Sequence, residues 1–263
     1  MLDLEILPCT EIERIAKIFH HAGVVAVSGT LTPDQLATWQ AGAFRVVAEQ
    51  MAATPLEEAN RGFARYSYGQ LIHEPEWVQF VDLPTVLPIL EAMWGSPHFT
   101  CSVAGGDYST PGAEIQPLHA DMLDFLHDPL GQVTFRDVPA PIIVVNFLMV
   151  DFTERNGATR VIPCTHRSRI APPTLEDEPD WMKRSIVCAP AGTAVFRDIR
   201  GWHGGTANTS DQIRPMTATG YYAPWFRSPG PDTPLPRAIY DTLSSRGQEL
   251  CRNLVNWWSQ DNV

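Results

Sequence analysis

Residues 192 to 222 read "GTAVFRDIRGWHGGTANTSDQIRPMTATGYY", and this stretch decides the fold class. Its first run, "TAVFRD", leads through a short turn to His203, two glycines and Asn208. Arg214 then opens a second run that continues to Tyr222. Short runs of this composition, separated by Gly and Asn, are typical of antiparallel strands. The stretch therefore predicts two strands, with a histidine after the first and an arginine at the start of the second.

The same pattern of short strand-like runs separated by turn residues extends over the chain after about residue 100. Apolar runs such as "PIIVVNFLMVDF" (141–152), "GATRVIPC" (157–164) and "SIVCAPAGTAVFRD" (185–198) alternate with Gly, Pro and Asn. This alternation predicts an antiparallel sandwich or barrel. The inserts "HDPLGQVTFRDVPAP" (127–141) and "RSRIAPPTLEDEPDWMKR" (167–184) are polar and proline-rich connections between the strands.

Before residue 100 the pattern is helical. Ile12, Ile15 and Phe19 fall on one helical face, and Thr10 with Glu13 forms a capping-box pattern. "TPDQL" (32–36) predicts a second helix, with Thr32 as N-cap and proline at the first helical position. "GVVAVSG" (23–29) predicts a short buried strand between them, and "LPTVLPILEAMWG" (83–95) a third helix broken by its prolines.

Charge and hydropathy exclude several classes of partner. Asp and Glu number 30 against 19 Lys and Arg, giving a net charge of −11. Nucleic acids and anionic membranes attract clustered Lys and Arg, so we expect neither as a partner. No run approaches the roughly 18 apolar residues of a membrane span. The N-terminus lacks the basic start of a secretory signal, and the five scattered cysteines favour a reducing compartment. We expect a cytoplasmic protein.

Upstream, "IQPLHADMLD" (115–124) places His119 and Asp121 one residue apart in an extended segment. Residues i and i+2 of a strand point to the same side, so both can address one point. Alone this pair is a weak signal, but His203 adds a third ligand. Two histidines and one carboxylate on one face of a metal form the triad of non-haem Fe(II) oxygenases. The Arg214 guanidinium can then grip the far end of a dicarboxylate co-substrate.

The order His119-x-Asp121, His203 and Arg214 resembles that of the phytanoyl-CoA dioxygenase-like family of Fe(II)/2-oxoglutarate oxygenases. Other segments are similar to this family: "HHAGVVAVSGTLTPDQL" (20–36), "NGATRVIPCTHRS" (156–168) and "WHGGTANTSDQIR" (202–214). In the second of these, Cys164 and Thr165 replace the family's usual Gly-Ser. The similarity spans roughly residues 11 to 226.

The resemblance implies a mostly β fold with α: a double-stranded β-helix (jelly roll) core with N-terminal and flanking helices. We therefore predict a single Fe(II)/2-oxoglutarate oxygenase domain over residues 1–263. It would be helix-rich over 1–100, with the jelly-roll core at about 100–226 and a C-terminal helical tail over 233–263. Trp257 and Trp258 would pack that tail or contribute to an oligomer contact.

The resemblance also implies the activity. Fe(II), 2-oxoglutarate and O2 would act together to oxidise a substrate, with succinate and CO2 as co-products. The compact interval from His119 to His203 and an acidic surface without a clear patch for a CoA phosphate favour a small metabolite or natural-product intermediate over an acyl-CoA. Hydroxylation is the expected outcome, within secondary metabolism. Related enzymes also desaturate, epoxidise or rearrange their substrates, and the sequence does not choose among these outcomes. The implied metal ligands, which are the catalytic residues, are His119, Asp121 and His203. The implied co-substrate contacts are Arg214 to the distal carboxylate, with Gln116 and Thr159.

Two questions stay open at this point. Tyr66, Tyr68, Trp202 and Trp225 can line the substrate pocket or pack the protein core, and the sequence does not separate the two. The triad also suits a non-catalytic jelly-roll metal-binding protein or a cupin-like isomerase. Retention of both Gln116 and Arg214 favours the oxygenase, because neither rival needs an anchor for a dicarboxylate.

Overall fold

The computed structural model of the protein describes residues 4–122, 124–228 and 234–255. The strands are β1 (Ile6–Pro8), β2 (Val24–Ser28), β3 (Arg65–Ser67), β4 (Thr100–Ser109), β5 (Ile142–Leu148), β6 (Thr159–Val161), β7 (Ala194–Asp198), β8 (His203–Gly205) and β9 (Arg214–Tyr222). The helices are α1 (Ile12–Ala22), α2 (Pro33–Ala53), α3 (Pro75–Val78), α4 (Leu87–Trp94), α5 (Asp180–Lys183), α6 (Arg237–Tyr240) and α7 (Ser245–Cys251), and a 3-10 turn spans Leu56–Glu58.

The strands form two sheets. The larger runs in the order β1-β2-β7-β5-β9-β4-β3, with β1 parallel to β2 and the other neighbours antiparallel. The smaller pairs β6 with β8, and single bridges from His119 and Ile186 extend it. Val161 of the small sheet packs with Val195 and Met216 of the large one. The two sheets therefore share a core as the two layers of a jelly roll.

The first hundred residues build the helical cover of the larger sheet. Trp39 of α2 stacks on Phe80 with ring centroids 4.1 Å apart and contacts Phe147 of β5 at 4.8 Å. On α1, the residues Ile15 and Phe19 point into the same core. Burying each large apolar side chain is worth about 1.5–3 kcal/mol, so this layer contributes much of the fold's stability.

The helix starts test the capping predictions. The Thr32 hydroxyl accepts from the Gln35 N–H and the Gln35 side chain accepts from the Thr32 N–H, which confirms the N-cap of α2. The capping box of Thr10 with Glu13 is wrong. Helix α1 starts one residue later, with Glu11 as an N-cap that makes no side-chain capping bond. The third predicted helix forms only as α4, after the turns around its first proline.

The C-terminal prediction is only partly covered by the structure. Helices α6 and α7 lie within the predicted tail, and Leu235 pairs with Val255 near its end. Trp257 and Trp258 lie outside the described residues, so the predicted oligomer contact stays a prediction, as does the single-domain organisation. Within the described ranges, no helix combines the length and apolar character needed to cross a membrane.

Cys164 carries backbone strain in the turn where the family has glycine. Its φ is 66°, in the left-handed region that costs a non-glycine residue about 1–2 kcal/mol. Glycine would remove this strain but costs about 0.5–1 kcal/mol in unfolded-chain entropy. We expect Cys164→Gly to raise the free energy of unfolding by about 0.5 kcal/mol, measured by urea denaturation. Cys164→Ala keeps the Cβ and is the matched control; an equal gain from Ala would contradict the strain argument.

Candidate active site

Backbone pairing brings the two predicted histidine ligands side by side. The His119 N–H donates to the His203 carbonyl and the His203 N–H to the His119 carbonyl, both at 3.0 Å. The Asp121 N–H donates to the Ile199 carbonyl at 3.2 Å. The segment before Asp121 is therefore extended, as the sequence predicted, although only His119 forms a bridge. The two imidazole rings lie with their centroids 4.4 Å apart.

The ligand atoms converge. Asp121 Oδ1 lies 3.8 Å from His119 Nε2, and Asp121 Oδ2 lies 3.4 Å from His203 Nε2. One atom from each of the three residues falls within 4.8 Å of the others. The Nδ1 atoms face the Pro117 and Gly201 carbonyls, both at 3.0 Å, which leaves each Nε2 to bind a metal. Two imidazoles and a carboxylate, so arranged, fit Fe(II).

The charge states also suit a metal. Arg197 on β7 donates to Asp121 Oδ2 at 2.8 Å and lies 3.2 Å from His203 Nδ1. Desolvation raises the pKa of Asp121, but the Arg197 charge and the hydrogen bonds to Asp121 outweigh it and hold that pKa well below its usual range. Burial, followed by the Arg197 charge, lowers the pKa of His203. Near neutral pH the site thus has an ionised carboxylate and a neutral imidazole, the forms that bind metals.

This cluster opens into a cavity of about 330 Å³ between the sheets. His203 is buried, whereas the His119 side chain is 40% exposed at the opening. Both apolar strand residues and charged residues line the cavity. The charged lining residues are Arg61, Arg65, Asp107, Asp121, Arg197 and Arg214.

Arg214 is buried at the start of β9, as predicted. Its Nε donates to the Gly157 carbonyl at 3.2 Å, its Nη1 lies 3.2 Å from Asp107 Oδ1, and its guanidinium stacks over Phe152. Its Nη2 has no hydrogen-bond partner among the described residues. A buried donor without a partner is costly, so this nitrogen fits the carboxylate of a bound acid. Asp107, however, already pairs with Nη1, so only part of the guanidinium is left to bind a ligand.

The other two predicted co-substrate contacts also line the cavity. The Gln116 side chain accepts from the Gly205 N–H at 2.9 Å and donates to the Arg61 carbonyl at 3.1 Å. The Thr159 hydroxyl lies 3.9 Å from Met216 Sδ. The Gln116 side chain therefore links the backbone of Gly205 to the backbone of Arg61 in the cavity wall. Its contact with a co-substrate stays a prediction, as does that of Thr159.

The predicted pocket residues need correction, because none of the four lines this cavity. Tyr66 is buried in the core, where it stacks on Tyr108 at 4.8 Å, and Tyr68 packs on the same ring. Trp202, next to His203, is buried in a small cluster with Leu118 and Ile162 and does not line the cavity. The side chain of Trp225 lies on the surface and is 48% exposed.

The sequence reasoning missed four charged residues of the cavity wall, Arg61, Arg65, Asp107 and Arg197. The strand that carries Tyr66 and Tyr68 alternates its faces, and Arg65 points into the cavity while the tyrosines point into the core. Arg197 follows three apolar residues in the fully buried strand β7. A charged residue at such a position was the available signal, because burying it requires a partner.

Comparisons with known proteins agree with this site. The family model for phytanoyl-CoA dioxygenase (PhyH) matches residues 19–216. The chain is 26% identical over 282 residues to the dioxygenase FrzG of Cladobotryum sp, covering 93% of this chain and 86% of FrzG. It is 27% identical over 180 residues to the iron/alpha-ketoglutarate-dependent dioxygenase okaE of Penicillium ochrochloron, covering 62% of this chain and 55% of okaE. The chain thus spans most of FrzG and about half of okaE.

A solved structure confirms the predicted jelly roll. The epimerase SnoN, in complex with Fe3+, alpha ketoglutarate and nogalamycin RO, superposes with a TM-score of 0.61 at 20% identity. The match covers 81% of this chain and 84% of SnoN. The family match covers most of the chain and includes all three residues of the cluster and Arg214. The chain therefore belongs to the phytanoyl-CoA dioxygenase family of Fe(II)- and 2-oxoglutarate-dependent oxygenases.

Proposed function

We propose that this protein is a dioxygenase that hydroxylates a small metabolite or natural-product intermediate, converting 2-oxoglutarate and O2 to succinate and CO2. One observation carries the proposal. The cluster of His119, Asp121 and His203 shares a single cavity with the buried Arg214, whose Nη2 has no partner among the described residues. A metal centre and an acid-binding guanidinium on one cavity are what the co-substrate needs at its two ends.

Each residue then has a defined task. His119, Asp121 and His203 hold the iron through two nitrogens and one oxygen. When bound, the iron supplies the oxidation by bringing 2-oxoglutarate and O2 together. Arg214 orients the distal carboxylate of the co-substrate, and Arg197 keeps Asp121 ionised and aimed at the metal. Burial of His203 and Arg214 keeps water away from the inner end of the cavity.

Size and relatives support a small organic substrate. The cavity of about 330 Å³ must hold the co-substrate as well, so little room remains inside for the substrate. The exposed edge of His119 supports a position for the reacting part of the substrate at the opening. SnoN was solved with nogalamycin RO, an organic ligand, in its complex. By this likeness we assign a natural-product intermediate to the opening beside His119.

The two rival functions are a non-catalytic metal-binding protein and a cupin-like isomerase with the same triad. Both would use the three ligands, but neither accounts for a buried arginine with a free donor on the same cavity. Asp107 pairs with Nη1 of Arg214, but a buried donor without a partner, such as its Nη2, is costly. The arginine therefore favours the oxygenase over either rival.

An anaerobic titration tests the proposed function. We expect Fe(II) to bind without colour, and 2-oxoglutarate to add a visible charge-transfer band, because only the chelated 2-oxo acid gives that transition. Succinate, which lacks the 2-oxo group, and Zn(II) in place of Fe(II) are the controls and should give no band. Tight iron binding with no band at saturating 2-oxoglutarate would favour the metal-binding protein instead.

A further inference from the structure

The loop that follows the metal-binding segment exposes an aromatic ring. Phe125 and its neighbour Leu126 are 53% and 39% exposed. The Phe125 ring lies 5.4 Å from that of Phe226, and the Tyr222 ring packs edge-on against Phe226 at 5.5 Å, measured between centroids. We call Phe125, Tyr222 and Phe226 the aromatic patch. Apolar side chains exposed side by side mark a binding surface, whereas scattered single ones do not.

The aromatic patch is continuous with the metal cavity. Phe226 belongs to a small buried cluster against which Met122, Val144 and Ile199 pack. Val144 and Ile199 also line the cavity, and the Ile199 carbonyl accepts the Asp121 N–H. Met122 directly follows Asp121 in the chain. One apolar surface therefore runs from the metal ligands to the aromatic patch.

This surface lies towards the opposite end of β9 from the acid-binding arginine. Arg214 is the first residue of β9 and Tyr222 is the last. Gly220, on the same face as Tyr222, pairs with Val144 of β5. At about 3.3 Å per residue, the backbones of Arg214 and Tyr222 are roughly 26 Å apart. A co-substrate held by Arg214 therefore leaves the apolar end open to a second molecule.

The exposed ring of Phe125 is held in place by its inner neighbours. It lies 4.5 Å from the ring of Phe135, which is buried. The Arg200 guanidinium donates to the Phe135 carbonyl at 2.6 Å and to the Val138 carbonyl at 3.0 Å. Arg200 is itself buried in an ion pair with Asp198. The loop thus presents a positioned ring, so a ligand that packs on it loses little free energy to ordering the protein.

The charged groups beside the patch are used by the backbone. Asp124 Oδ1 accepts the Leu126 N–H at 3.2 Å, and Arg227 donates to the Phe226 carbonyl at 2.7 Å. Arg136, whose charge acts on that of Asp124, donates to two backbone carbonyls at 3.1 and 3.3 Å. These contacts hold the loop and leave the ring faces as the surface offered to a ligand. An ionised group placed on those faces would give up its water, which is costly.

From these observations we propose that the aromatic patch is the substrate-binding surface, and that the substrate is an uncharged, largely apolar molecule with a ring that packs on Phe125. This inference rests on the proposed function. Packing on the patch buries the exposed ring and lays the rest of the molecule along Val144 and Ile199, beside the metal ligands. It narrows the substrate class to molecules without an ionised group at the reacting end.

Two probes of nearly equal shape test this substrate class. 2-Acetyl-6-fluoronaphthalene is an uncharged ketone, and 6-fluoro-2-naphthoate has an anionic oxygen in place of its acetyl methyl group. Each is titrated by fluorine NMR into the protein loaded with 2-oxoglutarate and either Mn(II) or diamagnetic Zn(II). We expect the ketone to bind about tenfold more tightly than the naphthoate, because the patch cannot replace the water around a carboxylate. Mn(II) should broaden the ketone's fluorine line more than Zn(II) does, since the patch adjoins the metal ligands.

Replacing Phe125 tests the surface itself. Phe125→Ala should weaken ketone binding about tenfold because the ring contact is lost, and Phe125→Leu, which keeps apolar area, should weaken it less. The matched control is Phe44→Ala, because Phe44 is 42% exposed on α2 and lies outside the cavity lining. Its effect on ketone affinity should stay below about twofold, as for other surface substitutions.

Three results would overturn the inference. They are equal affinity of the wild-type protein for the two probes, unchanged ketone binding in Phe125→Ala, and ketone binding that is absent or is not broadened by Mn(II). The proposed function is judged separately, by the charge-transfer band of the Fe(II) protein with 2-oxoglutarate, which the Phe125 variants should keep. A missing band in the wild type therefore overturns the proposed function, whereas a band with any of the three results overturns only the assignment of the patch.

Discussion

Alanine at His119, Asp121 or His203 should abolish iron binding and turnover while the protein stays folded. Each residue supplies one of three converging atoms, and a site built for three protein ligands rarely holds its metal with two. The jelly roll, in contrast, is held by apolar clusters on either side of the larger sheet. Metal content after anaerobic loading and dialysis measures the first effect. Circular dichroism and the thermal midpoint measure the second.

The control for this series is His127→Ala. His127 is an exposed histidine that follows the ligand segment by a few residues. Because it lies outside the metal cluster, it should retain full iron content and turnover. An alanine variant of the triad that keeps full iron content would remove that residue from the metal site. Loss of the fold in all three variants would contradict the claim that the core is independent of the ion.

Much of this site was predictable because its signals are local. The spacing of His119 and Asp121 suffices to put both on one side of an extended segment. Arg214 starts β9 where the run of strand-forming residues begins, and Thr32 caps α2 with its neighbours Pro33 and Gln35. In each case the residues that determine the structure lie within a few positions of one another.

The rest of the cavity depends on strand register, which the sequence does not encode locally. The alternation of residues around Tyr66 predicted a strand with two faces, but it did not show which face would line the cavity. That choice follows from the pairing of β3 with β4, more than forty residues downstream in the chain. A one-residue difference in register exchanges the faces of a strand. The sequence therefore left open whether the tyrosines line the pocket or pack the core, and Arg65 in the cavity wall was missed.

Replacing Arg214 with lysine should weaken 2-oxoglutarate binding about 100-fold and leave iron affinity unchanged. The wild-type guanidinium donates to the Gly157 carbonyl through Nε and pairs with Asp107 through Nη1. Its Nη2 has no hydrogen-bond partner among the described residues and is the donor left for the co-substrate. A lysine ammonium is a single compact charge without the separate, forked donors of a guanidinium. Asp107 would hold it, so the distal carboxylate would lose its donor and not only the second arm of a fork. The anaerobic charge-transfer titration measures the affinity for 2-oxoglutarate. The iron content after loading and dialysis shows whether iron binding is unchanged.

Arg155→Lys is the matched control. Arg155 is an exposed arginine two residues before Gly157, and its guanidinium donates to the Thr209 carbonyl. It should leave 2-oxoglutarate affinity unaltered. If Arg214→Lys also leaves that affinity unaltered, the distal carboxylate binds elsewhere.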